Sequence, residues 1–121
     1  STFWPALNNV GLVEYEQGDR DEAIEKWQSV IEVDGEQAEP QLALAVAFFT
    51  QGKVKKGIEL GKAALAIDNR YADIQFLEDN LWGERLIEDT RKFLNNPQIQ
   101  EMVSSSQNSP SKDEPELPLT P

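Results

Sequence analysis

Apolar residues recur along this chain in steps of three and four, with turn residues between the runs, which is the pattern of short amphipathic helices. Leu7, Val10, Gly11 and Tyr15 form the first stripe and predict a helix over residues 2–17. Pro5 falls in its first turn, where a missing N–H costs nothing. Gly18 ends it. Asp19 reads as the N-cap of a second helix, with Glu22 three residues on, as in a capping box. The second stripe is Ala23, Ile24, Trp27, Val30 and Ile31, and it stops near Asp34-Gly35. A third helix is expected over 38–51. Leu42, Leu44, Val46, Phe48 and Phe49 make it apolar almost all round, so it must be covered on more than one side. A fourth, over 54–67, carries Ile58, Leu60, Ala64 and Leu65. Gly57 and Gly61 each lower its helix propensity by about 1 kcal/mol relative to Ala. Their presence predicts a closely packed neighbour, making room for Trp27 or Trp82.

The remainder is less regular. Ile74, Phe76, Leu77 and Leu81 predict a helix over 71–82, followed by Gly83. Leu86, Ile87, Thr90, Phe93 and Leu94 form another stripe, ended by Asn95-Asn96-Pro97 because proline disfavours helix in the residue before it. A short helical turn is expected through Ile99 and Met102. From Ser104 onward there are five serines and four prolines in the last 18 residues and no period. Such a segment cannot bury enough apolar surface to offset ordering entropy, so residues 104–121 are expected to be a disordered tail.

A shift of 34 residues brings two of these segments into register. Gln17-Gly18 falls on Gln51-Gly52, Ile24-Glu25 on Ile58-Glu59 and Asp34 on Asp68, with conservative matches between. A period of this length marks a helical-pair repeat, in which each unit hides its apolar face by stacking on a neighbour. The predicted fold is all-α, a stack of antiparallel helix pairs forming one domain over 1–103. Its repeats are 4–37 and 38–71. Residues 72–103 are expected to be an atypical capping pair, since Gly83 comes three residues earlier than the step requires.

Asn9-Val10-Gly11, Tyr15, Gln17-Gly18-Asp19, Asp21-Glu22-Ala23-Ile24 and Trp27 resemble the tetratricopeptide repeat (TPR). So do Leu44-Ala45, Phe48-Phe49, Gln51-Gly52, Ile58, Ala64-Leu65 and Ile67-Asp68. Glu14 departs from the pattern where a large apolar residue is usual. Gly57 and Gly61 depart where alanine and an aromatic are usual, and Gly35 and Asn69 where proline is common. The resemblance implies a superhelix whose first helices line a concave, partner-binding face. Carried over residue by residue, that face is Asn8, Asn9, Leu12 and Tyr15, then Leu42, Ala43, Val46 and Phe49, then Phe76, Leu77 and Asn80 from the cap. The groove so drawn is mainly apolar. It lacks the basic clamp with which some TPR proteins grip chaperone termini, and it suits an amphipathic helix or an apolar extended segment. The stretch Phe76–Gly83 through Leu94 is also similar to the closing segment of some cyanobacterial TPR proteins. That similarity implies an assembly or scaffold role of the photosystem type, with thylakoid association through an N-terminal part.

Composition narrows the chemistry. Neither histidine nor cysteine is present, so the commonest general base, nucleophile and transition-metal ligands are missing. No enzyme, cofactor or metal is expected. The run Glu14, Glu16, Asp19, Asp21, Glu22 lacks calcium-loop spacing and reads as a solvated face and helix start. Acids outnumber bases by 22 to 11, which argues against nucleic acid. The charge is uneven, with nine acids and two bases over 4–37 and three acids and five bases over 38–71. Lys53, Lys55, Lys56 and Lys62 read as a solvated face, with contact to an acidic partner as the alternative. Ser109-Pro110 and Thr120-Pro121 are weak modification sites, and Pro115–Pro118 is a poor polyproline match. No apolar run is long enough to insert in a membrane, and a cytoplasmic location is expected. The chain does not begin with methionine, so Ser1 is expected to be a processed end or an internal start.

The expected function is therefore protein–protein interaction, with a partner helix or peptide in the concave groove. Two alternatives stand beside it. The same residues can pack against further repeats or a second copy as a homodimer, in a structural or spacer role, or they can be plain core.

Overall fold

Gly18 and Gly52 make the same bend. Each has φ of +90°, a conformation that costs an L residue with a side chain about 1–2 kcal/mol. The residue after each glycine reaches five back along the chain, Asp19 N to Glu14 O at 2.9 Å and Lys53 N to Phe48 O at 2.9 Å. These are paired Schellman caps, and they set the step that the self-match predicts. The computed structural model describes residues 3–108, and among these the elements are all helical. In chain order they are α1 (Trp4–Glu16), α2 (Arg20–Val33), α3 (Ala38–Thr50), α4 (Val54–Ile67), a 3₁₀ turn (Asn69–Ala72), α5 (Ile74–Asp79), α6 (Glu84–Leu94) and α7 (Pro97–Asn108).

The first two pairs stack as expected. α1 packs on α2, α3 on α4, and α2 on α3. Trp27 is fully buried, its ring 5.8 Å from that of Tyr15. A Cβ on Gly11 would stand 2.7 Å from Trp27 Nε1, so α1 needs glycine where the indole lies against it. Val10 was expected on the buried stripe but is 44% exposed. The buried face of α1 is instead Asn8, Gly11, Leu12 and Tyr15.

Gly57 and Gly61 allow close approach, but not for a tryptophan. A Cβ on Gly57 would lie 2.8 Å from the Ala45 carbonyl oxygen, which is backbone-to-backbone contact between α4 and α3. A Cβ on Gly61 would overlap the Phe93 ring of α6. The capping box at Asp19 and Glu22 does not form either. Asp19 leaves the Schellman turn at φ −89°, ψ 64°, outside the extended geometry that aims a cap side chain at the first turn, and makes no side-chain cap.

The third step is 29 residues, because its bend falls at Leu81 and not at Gly83. Leu81 has φ 68°, and Trp82 N reaches back to Leu77 O at 3.1 Å, repeating the pattern of Asp19 and Lys53. α5 is accordingly only one and a half turns long. Gly83 is small for another reason: the Glu16 side chain lies where its Cβ would be.

α6 does not continue the stack. It lies against α3 and α1, while α7 packs on α4 and the 3₁₀ turn. Residues 41–48 of α3 are buried without a break, covered by α4, α2 and α6 of the same chain. α7 runs through Asn108, so residues 104–108 of the expected tail are helical. The rest of that expected tail, with its serine–proline and proline-spaced motifs, lies outside the described residues.

Candidate functional site

α6 is seated by residues of α1. Gly83, its N-cap, has no side chain to offer the first turn. Glu16 supplies the cap from another helix: Oε1 accepts the Arg85 N–H at 2.9 Å and Oε2 the Leu86 N–H at 3.0 Å. A carboxylate at a helix N-terminus satisfies free N–H groups and meets the positive end of the dipole. One turn on, the Tyr15 hydroxyl donates to Asp89 Oδ2 at 2.5 Å, and Arg20 approaches the same oxygen at 3.4 Å. Burial, then Asp89, raise the Tyr15 phenol well above its ordinary pKa. At the far end Phe93 meets Phe49 edge-on at 5.5 Å.

The eleven residues assigned to the concave face fall into three groups. Asn8, Leu12, Tyr15, Leu42, Ala43, Val46 and Leu77 are buried by the chain itself and are core in this structure. Phe49, Phe76 and Asn80 are half-buried, and Asn9 is exposed. Phe76 is held by Tyr71 at 4.9 Å and lies under the Arg70 guanidinium at 4.9 Å. Most of the residues assigned to the inner wall are thus covered, and α6 of the same chain packs on the two helices that carry the first eight of them.

The wall stays open where α6 does not reach. The N-terminal ends of α1 and α3 and the turn after α5 enclose a cleft of about 280 Å³, lined by Trp4, Pro5, Asn8, Asn9, Glu39, Asp79, Asn80 and Leu81. It brings together three of the assigned residues, Asn8, Asn9 and Asn80, with five that sequence reasoning did not select. Glu39 forms the floor. It accepts a hydrogen bond from Asn8 Nδ2 and a long one, 3.4 Å, from the Tyr71 hydroxyl. The Trp82 indole N–H faces the same carboxylate but makes no hydrogen bond of normal geometry. Burial raises Glu39 above the usual carboxylate range, and these donors only partly offset it. Burial and the Glu39 charge push the Tyr71 phenol up to about 12. The one hint of Glu39 in the sequence is an acid beside Pro40 at the start of the most apolar helix.

Elsewhere several charged groups have structural partners. Glu14, the departure from the repeat pattern, pairs with Lys26 at 3.4 Å. Lys56 and Lys53 lie over the Phe48 ring at 4.4 and 5.5 Å. A second cavity, of about 230 Å³, opens between α4, the 3₁₀ turn and α7, but its Arg70 is already bound to Asp68 at 2.6 Å. Among the described residues no three acidic side chains converge on a metal-sized site. None of the described helices is long and apolar enough to cross a membrane.

Helix pairs in a 34-residue step, with left-handed bends at equivalent places, define a helical-repeat protein. A family model for the TPR repeat matches residues 11–52, and the all-helical stack is consistent with a TPR protein. No curated protein matches it. TPR repeats are non-catalytic modules that mediate protein–protein interaction.

Proposed function

We propose that this chain is a protein-interaction module that takes a partner segment at the open end of its concave side, in the cleft between Trp4 and Leu81. The observation that carries this is the division of the inner wall. α6 lies against α1 and α3, meeting Tyr15 and Phe49, and the cleft beside Asn9 stays open. A partner helix in the covered part would have to displace α6 and break its Glu16 cap. A scaffold or assembly role, and the thylakoid setting implied by the closing-segment resemblance, belong with this reading and depend on the partner's identity.

Site-specific photo-crosslinking tests it. A crosslinker at Asn9 is expected to trap one partner in native-host extract, and the same group at Gln28, exposed on α2, is expected not to. Equal trapping from both positions contradicts the assignment.

Self-association is favoured by a different observation. Phe3, Val10 and Val13 are 71, 44 and 56% exposed along α1, at helical spacing on the open end of the stack. A further repeat or a second copy would bury them. Light scattering should then show a dimer that Val13→Glu disrupts; a monomer at all concentrations removes this reading.

A further inference from the structure

We infer that the Trp4–Leu81 cleft is a recognition pocket for a guanidinium group, the side chain of an arginine presented by a partner protein. The inference rests on the reading of this cleft as the partner-facing end of the concave side, and adds the chemistry of what enters it.

The floor of the cleft is a carboxylate without a cation. Glu39 is substantially buried, and among the described residues no lysine or arginine pairs with it. The helices that wall the cleft cannot supply one, since α1, α3 and α5 contain no basic residue. A buried carboxylate served only by neutral donors is costly, and a charge-assisted partner relieves that cost. Asp79 adds a second acid at the rim, held by Gln75 at 3.0 Å and, among the described residues, paired with no base.

Asn8 is the second observation. It is 2% exposed and lines the cleft, and its Oδ1 has no hydrogen-bond donor while its Nδ2 is spent on Glu39. A buried carbonyl oxygen without a donor costs about 1–3 kcal/mol. An incoming group with several N–H donors in a plane pairs with Glu39 and, once the Asn8 side chain turns its covered oxygen toward the cleft, with Asn8 as well. That describes a guanidinium better than an ammonium, which is a compact point charge. A metal ion fits less well, because hard cations need about six oxygen ligands and no such cluster is present among the described residues.

The apolar parts fit the stem of such a side chain. Trp4 is half-buried at one edge, where its ring can stack on a guanidinium. Leu81 stands at the other edge, 83% exposed. A volume of about 280 Å³ admits the planar head and part of its methylene chain.

The test is a titration of the full chain with the blocked peptide acetyl-Ala-Arg-Ala-amide, followed by amide and indole chemical shifts. Its controls are the same peptide with lysine or citrulline in the centre. Saturable shifts are expected at the Trp4 indole and at the Asn8, Asn9 and Asn80 side chains, with arginine stronger than lysine and citrulline without effect. Glu39→Gln should weaken arginine binding by about tenfold, the loss of one charge-assisted contact. Asp79→Asn, at an exposed site, should weaken it by about threefold with the fold unchanged by circular dichroism. Equal binding of arginine and citrulline, shifts confined to other surfaces, or unchanged affinity in both variants overturns the proposal. The two readings fail separately. Arginine binding without Asn9 crosslinking removes the partner reading and leaves the pocket; Asn9 crosslinking without discrimination between arginine and citrulline removes the pocket.

Discussion

Tyr15 donates its hydroxyl hydrogen to Asp89 across 2.5 Å, tying the first helix to the sixth over 74 residues of chain. Both groups are buried, and this bond holds α6 on the inner face of the stack. Tyr15→Phe leaves the Asp89 carboxylate with only Arg20 at 3.4 Å. A loss of about 1–3 kcal/mol is expected in urea unfolding, the cost of a buried acceptor without its donor. The pH dependence has a definite sign. Because the folded-state phenol is raised above its ordinary value of 10.0, its contribution is complete below about pH 10 and is lost as pH rises further. The variant should lack this alkaline loss, and unfolding curves at pH 8 and 11 for both proteins check it.

Glu16→Ala removes a cap that the chain of α6 cannot replace, because Gly83 has no side chain. The expected cost is about 1–2 kcal/mol, in the range of strong helix caps. Hydrogen exchange at the Arg85 and Leu86 amides should accelerate more than at Trp27 or Val46. Uniform acceleration would mean that Glu16 does not hold α6 locally.

Leu81→Gly should stabilise the chain by about 1 kcal/mol. Leucine in a left-handed bend is strained, and at 83% exposure it buries little in return. The opposite change at the equivalent bends, Gly18→Ala or Gly52→Ala, should cost about as much. Thermal unfolding of the three variants decides it, and destabilisation by Leu81→Gly would contradict the equivalence of the bends.

Glu39→Gln tests the buried carboxylate. The folded-state pKa of Glu39 is raised above the ordinary value of 4.5. Its contribution to stability is therefore complete below about pH 4.5 and is lost as pH rises through the raised value. The glutamine variant should match the parent near pH 4 and be more stable at pH 7. A constant difference across that range would show that ionisation of Glu39 is not coupled to folding.

Leu12→Glu separates core from open surface. Leu12 is 6% exposed and belongs to the hydrophobic core, so an ionised side chain there should unfold the chain or cost more than about 3 kcal/mol. Asn9→Glu, one turn away and exposed, should leave helicity unchanged by circular dichroism. Normal folding of the Leu12 variant would mean that Leu12 is not part of the core.

Much of the architecture was legible. Gln17-Gly18 over Gln51-Gly52 marked both bends, and the apolar encirclement of α3 required cover on several sides. The break after residue 71 was visible too, but its cause was not. A glycine is the usual sign of a left-handed bend, so Gly83 drew attention that belonged to Leu81. Asp89 sits on the buried stripe of α6, three residues from Leu86 and one from Thr90. A charge at that position is a signal of a long-range partner, though not of which one.

Helix order, pair register and the bends at residues 18 and 52 follow from the chain alone, because backbone preference and apolar period act within a turn or two of each residue. The occupant of the inner face does not. It depends on Glu16 meeting Arg85 and Leu86, on Tyr15 meeting Asp89 and on Phe93 settling against Gly61, contacts spanning 32 to 74 residues that carry no period. The same wall of Leu12, Val46 and Phe49 would satisfy the local rules whether open or covered. Packing of the last helices closed most of it and left the cleft over Glu39 open, because α5 stops after six residues and turns at Leu81.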